Sequence, residues 1–240
     1  MPTYKTEGIV LARFNLGEAD RIVSFFTRDR GKLRAVAKGV RRIKSRMAGH
    51  LELFNSVELM LATGRNLDVI TSARLRQHHA TLSEDYDRLS YGYLFAEMVE
   101  KLTGEDEPHP GVFELLGDCL TSLDGGAADT LLELYFKLRL ASELGYRPEL
   151  SACVVCGKSD PTASYFFSFT KGGIVDATCR TAESSAIDQH QIKLWRLIFA
   201  HPLSDIRRVD GAEQLAETGI QLCNNFYDEL FGKRFKSLQA

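Results

Sequence analysis

The chain reads as an α+β protein in which a small strand-built domain precedes a mostly helical one. Three observations predict this. Alternating β-prone runs separated by Gly- and Asn-bearing turns occupy the first 80 residues, three- and four-residue apolar spacings take over beyond Ser83, and the formal charge changes sign between the two regions. Residues 1–80 hold 15 basic and 7 acidic side chains, so subtraction from the totals of 30 and 32 leaves 15 and 25 in residues 81–240. The resulting balances, +8 and −10, assign contact with a polyanion to the first region and not to the second.

Taken in order, the first strand is expected from Tyr4 to Phe14, ending at the turn residues Asn15-Leu16-Gly17, and the second from Arg21 to Thr27, ending at Arg28-Asp29-Arg30-Gly31. The third is Lys32 to Lys38. After a basic connection from Gly39 to His50, strands are expected from Leu51 to Thr63 and from Leu67 to Leu75, joined through Gly64-Arg65-Asn66. Five strands in so short a length make a small barrel or a sandwich, and a five-stranded barrel with its binding face on the second and third strands is an OB-fold. Helices are expected over Tyr86–Leu102, Val112–Leu123, Asp129–Leu144, Gln189–Phe199 and Gln214–Leu230, the third stopped by Gly145 with Pro148 beyond it. The domains are then residues 1–80 and 81–240, with a small zinc-ribbon-like insert at about 150–182.

Between Arg28 and Arg46 stand nine basic residues and one acid, Asp29. In the third strand Lys32, Arg34 and Lys38 share one face while Leu33, Ala35 and Ala37 share the other, because side chains alternate along a strand. A cationic face with an apolar back is suited to phosphates, and Lys32, Arg34, Lys38, Arg41, Arg42, Lys44 and Arg46 are the expected contacts. A merely solvated basic surface is the bland alternative. Phe14, Phe25, Phe26 and Phe54 are expected mainly in the core, with only one ring of Phe25-Phe26 able to face outward, and His78-His79 reads as a polar strand end.

Cys153 and Cys156 form a C-x-x-C pair, and nineteen residues separate Cys156 from Asp176-Ala177-Thr178-Cys179. The spacing fits a tetrahedral zinc site with Asp176 where a fourth cysteine is expected. The alternatives are a hairpin, Tyr165 to Val175 turning at Lys171-Gly172-Gly173, that folds without metal, or His190 as the substitute ligand. Five cysteines, three of them in one short region, suit metal ligation in a reducing compartment better than disulfides. No apolar run is long enough to span a bilayer, and Met1 to Glu7 lacks a secretory signal, so a cytoplasmic location is expected. Gly157-Lys158-Ser159 ends like a phosphate loop, but Ala152 stands where that motif needs glycine. No catalytic constellation stands out, so an enzyme is not expected.

Lys5-Thr6-Glu7-Gly8-Ile9-Val10-Leu11, Gly17-Glu18-Ala19-Asp20-Arg21, Gly31-Lys32 and Ala37-Lys38-Gly39-Val40-Arg41-Arg42 resemble the N-terminal part of the bacterial recombination mediator family RecO. Gly145-Tyr146-Arg147-Pro148, Cys153 to Gly157, Phe166 to Gly173 and Cys179 resemble its C-terminal half in the same order. The resemblance implies an OB-fold, a helical domain and, in many members, a zinc-binding insert; Asp176 departs from the family's cysteine. It further implies binding of single- and double-stranded DNA, annealing of complementary strands, and, with RecR, loading of RecA onto strands coated by single-strand-binding protein, in a nucleoid-associated setting. The acidic tail of single-strand-binding protein would then be sought near Leu222, Phe226, Leu230, Phe231 and Lys233-Arg234-Phe235-Lys236, although Leu222, Phe226 and Leu230 also read as the core stripe of an amphipathic helix. The rival to a DNA-binding mediator is a non-catalytic, zinc-containing adaptor that docks proteins without touching DNA.

Overall fold

A computed structural model describes residues 2–160 and 164–232. Five strands, β1 (Thr3–Leu16), β2 (Asp20–Thr27), β3 (Gly31–Ala37), β4 (Ser56–Ala62) and β5 (Asp68–Gln77), close into a barrel in the order β1-β2-β3-β5-β4. β1 closes it by serving both edges: Thr3 to Ile9 pair with β4 and Gly8 to Leu16 with β2. A register shift between Val10 and Ala12 supplies the bend this double duty demands. β3 meets β5 in parallel, with Val36 opposite Val69, so β4 lies between β5 and β1. This is the OB arrangement.

The interior is filled by Val10, Val23, Phe25, Ala35, Ala37, Val57, Leu59, Leu61 and Ile70, one face of each strand. Val40 and Leu51 seal one end from the connection after β3. The expected fourth strand begins later than the sequence suggested, because Leu51 to Phe54 form turns and Phe54 takes a left-handed backbone at φ 66°. Its ring is buried edge-on against Tyr93, their centroids 5.4 Å apart.

A short 3-10 turn, Ala80–Glu84, leads into α1 (Tyr86–Leu102), and α2 (Pro110–Asp124) follows. Both belong with the barrel to one compact unit, residues 1–128. Gly31 locates where the chain returns: its φ is 62°, and a Cβ there would lie 1.9 Å from the Glu107 carbonyl oxygen. No side chain fits.

The second unit, whose described residues are 129–160 and 164–232, contains α3 (Thr130–Glu143), α4 (Gln189–Ala200), α5 (Leu203–Ile206) and α6 (Ala212–Phe231). Its insert is a three-stranded sheet of β6 (Tyr165–Ser168), β7 (Gly173–Asp176) and β8 (Ser185–Ile187), with β6 in the centre. Phe167 of β6 packs edge-on against Trp195 of α4 and Phe226 of α6, which fixes the insert to the helices. Leu222 and Phe226 are buried, as the core-stripe reading expected; Lys233-Arg234-Phe235-Lys236 lies outside the described residues. No described helix is long and apolar enough to cross a membrane.

Candidate nucleic-acid interface and metal centre

The seven cations expected to meet phosphate occupy two different settings. Lys32, Arg34 and Val36 point outward from β3, since Ala35 and Ala37 point into the core, and Lys38, expected to end the strand, is the first residue of the turn that follows it. The end of that face nearest Lys32 is covered by the helical segment that follows the barrel. Lys32 donates from Nζ to the carbonyl oxygens of Glu100 at 2.8 Å and Thr103 at 3.1 Å, closing the C-terminus of α1. A cation at a helix C-terminus meets both unpaired carbonyls and the negative end of the helix dipole. Lys32 is therefore committed to the fold. Ser24 and Phe26, on the same outward face of β2, are fully buried. Arg34 is transitional, half-exposed, with Glu100 and Glu105 at 3.8 and 3.9 Å.

At the other end no carboxylate pairs with the cations among the described residues. Residues Lys38 to Arg46 run as successive tight turns held to the β1–β2 hairpin: Gly39 N donates to Asp20 Oδ1 at 2.7 Å, Arg41 N to the Ala19 carbonyl at 2.9 Å, and Arg41 Nη1 to the Gly17 carbonyl at 2.8 Å. Arg42 N and Ser45 N close turns on Gly39 and Arg42. Lys38, Arg41, Arg42, Lys44 and Arg46 are all exposed, and none makes an ion pair among the described residues. Five unpaired cations on a turn fixed by backbone bonds form a standing positive surface.

Of the four phenylalanines expected mainly in the core, Phe25, Phe26 and Phe54 are buried, and Phe14 is 52% exposed. His79 is likewise no surface residue. It is buried, with Nδ1 3.0 Å from the Phe54 carbonyl oxygen, and burial lowers its pKa.

In the second unit Cys153, Cys156, Asp176 and Cys179 bring one ligand atom each to within 4.8 Å of one another. A tetrahedron with zinc–sulfur bonds of ~2.3 Å has edges of roughly 3.8 Å, so a small closure would seat one ion. Two turns build the cluster. In the first, Cys153 N donates to the Lys158 carbonyl and Gly157 N to that of Cys153, while Val154 N bonds the Ile174 carbonyl of β7. The second is organised by Asp176 itself, whose Oδ1 accepts from Thr178 N at 2.8 Å, Thr178 Oγ1 at 2.6 Å and Cys179 N at 2.9 Å. Oδ2 is left for the centre, where it accepts from Cys156 Sγ at 3.0 Å. That bond holds the Cys156 thiol proton on, raising its pKa to about 12. The Thr178 hydroxyl, then Cys156, hold the Asp176 carboxyl well below the usual range. Such a donor set fits a divalent ion that accepts thiolate and carboxylate together. His190, the alternative ligand, pairs instead with Asp188 at 3.0 Å at the start of α4.

Comparison with known proteins agrees with both halves of this architecture. Residues 1–79 match the family model "Recombination protein O N terminal" and residues 83–239 the model "Recombination protein O C terminal". Among curated relatives, a protein of Nocardioides sp. is 43% identical over 202 residues, covering 82% of each chain. One from Bifidobacterium adolescentis is 41% identical over 192 residues, covering 78% of each chain. One from Roseiflexus sp. is 37% identical over 202 residues, 83% of this chain and 71% of its own. All three carry the name DNA repair protein RecO. With a closed five-stranded barrel, a helical unit, a Cys3Asp cluster and matches along nearly its whole length, the chain belongs to the RecO family of DNA repair proteins.

Proposed function

We propose that this protein is a recombination mediator that binds single- and double-stranded DNA through Arg34, Lys38, Arg41, Arg42, Lys44 and Arg46, and anneals complementary strands. The observation that carries the reading is the set of five exposed, unpaired cations on a turn pinned to the β1–β2 hairpin. Two strands approaching each other repel through their phosphates, and a surface that displaces counterions from one of them lowers that barrier while leaving base edges free. No bond is made or broken, so the protein acts by binding and not as an enzyme. Lys32, docked on α1, contributes to the shape of this surface more than to its free charge. With RecR it would help place RecA on strands coated by single-strand-binding protein, whose acidic tail is a partner of the helical unit. The setting is the bacterial cytoplasm, at the nucleoid.

Zinc is the cofactor this reading assigns, held by Cys153, Cys156, Asp176 and Cys179. Its contribution is structural: it ties the two turns of the insert to one point.

Titration of a labelled single strand over a salt series tests the proposal. With roughly five phosphates engaged, the logarithm of affinity falls against the logarithm of salt with a slope of roughly −3.5. Arg34→Ala/Lys38→Ala/Arg41→Ala should flatten the slope and abolish ATP-independent annealing while the protein stays folded. Unchanged binding in the triple variant would transfer the protein to the adaptor class.

A further inference from the structure

The outward face of the barrel has an apolar row that the cations do not explain. Phe14 on β1 pairs with Ile22 on β2, Ile22 with Val36 on β3, and Val36 with Val69 on β5, so four strands each place one apolar residue at the same level. By strand alternation all four face away from the interior, where Val23, Ala35, Ala37 and Ile70 lie. Ile22, Val36 and Val69 are half-buried and Phe14 is 52% exposed, with Leu16, 42% exposed, two residues further along the same face. A barrel face turned to water ordinarily alternates to polar residues at these positions. Ser24 and Phe26, beside the docked Lys32, are fully buried, whereas the row at Ile22 stays apolar although it is not fully covered.

We infer that Phe14, Ile22, Val36 and Val69 form a ledge on which the unstacked bases of a single strand rest, with Arg34 and Lys38 holding phosphates on either side. This rests on the nucleic-acid reading above. Charge selects the occupant: Arg34 stands two residues from Val36 on the same face, ~6.7 Å along the strand, with Glu100 and Glu105 3.8 and 3.9 Å from it, and Lys38, one residue past the end of β3, begins the run of unpaired turn cations. An apolar strip bordered by cations on both sides matches a chain whose apolar rings and anionic links alternate. Base stacking on an aromatic ring is indifferent to sequence, as annealing of arbitrary strands requires. A duplex keeps its base faces stacked inside and gains nothing from the ledge.

The test separates bases from phosphates. Affinities of the full-length protein are measured for a thymidine oligonucleotide and for an abasic strand of equal length, with native protein and Phe14→Ala; Phe14 is exposed, and a circular dichroism melt verifies folding. Native protein should prefer the base-bearing strand, and Phe14→Ala should lose roughly tenfold or more on that strand only, with abasic and duplex binding and the salt slope unchanged. Phe14→Trp should give fluorescence quenched by the oligonucleotide and not by the abasic strand. If native protein binds both strands and Phe14→Ala leaves their ratio unaltered, the ledge is overturned while the mediator reading stands; loss of self-association in that variant, by sedimentation, would assign the row to a second copy. If native protein binds neither strand, the mediator reading itself falls.

Discussion

Lys32 and Lys38 belong to the same basic chain segment, one in β3 and one in the turn after it, and the fold gives their charges different tasks. Alternation along β3 made the outward face of Lys32 readable in the sequence. The docking of Lys32 was not readable, because its acceptors, the carbonyls of Glu100 and Thr103, lie 68 and 71 residues away. Backbone carbonyls leave no mark in a sequence. Lys32→Met keeps the stem and removes the ammonium, so it should cost about 1–2 kcal/mol of stability and leave the salt slope of DNA binding nearly unchanged. Lys38→Ala should do the reverse. Denaturant melts and salt titrations of both variants check this, and equal effects on binding would show that Lys32 also reaches DNA. His79 offers a second single-residue prediction. Burial lowers its pKa, against the Phe54 carbonyl and Asp124, which raise it, so the native state holds the neutral ring. An unfolded histidine titrates near 6.5, so below that pH the unfolded chain binds the extra proton first. The contribution of His79 is complete above pH of about 6.5 and is lost as pH falls through and below it. Melting temperature should therefore fall less steeply with acidification in His79→Gln than in the native protein.

Among elements, the regular ones were the most readable. α1 was expected over the residues it occupies, and the long helices and the first three strands differ by a few residues at their ends, because a sustained period of two or of 3.6 records which face is buried. The short elements β8 and α5 were not foreseen, since three or four residues carry no period. The buried Lys137, whose ammonium bonds Glu133 and Asn224, was equally hidden within an apparently amphipathic helix. The metal cluster was readable because ligand spacing is local, but the double duty of Asp176 was not. One oxygen organises the Asp176–Cys179 turn and the other faces the centre. An asparagine has a single acceptor oxygen and cannot do both, whereas a cysteine restores a four-thiolate set. Cobalt(II) titrations followed by absorption should rank affinity as Asp176→Cys at or above native, and native above Asp176→Asn. An Asp176→Asn protein that binds cobalt as tightly as native would mean that Oδ2 is no ligand.

For the molecule as a whole, charge and compactness divide the chain at different points. The sequence changes from basic to acidic near residue 80, and the family models also part between 79 and 83. The compact unit that contains the barrel extends to residue 128, because Lys32 and Arg28 anchor to α1 and α2 through Glu100, Thr103 and Glu114. Period and composition locate a change of element type; they do not report which helix covers which sheet. The two divisions make different forecasts for DNA binding. If the unit acts through its charge, protection should follow the unpaired cations and the hairpin that carries them, and not the whole compact unit. Hydrogen exchange with and without a single-stranded oligonucleotide should then slow in residues 16–21 and 38–46, with α1 and α2 little changed and α3 and α6 of the second unit unchanged. Slowed exchange concentrated in α1 or α2 would place the DNA on residues 81–128, which hold 11 acidic and 2 basic side chains, and the electrostatic assignment would have to be abandoned.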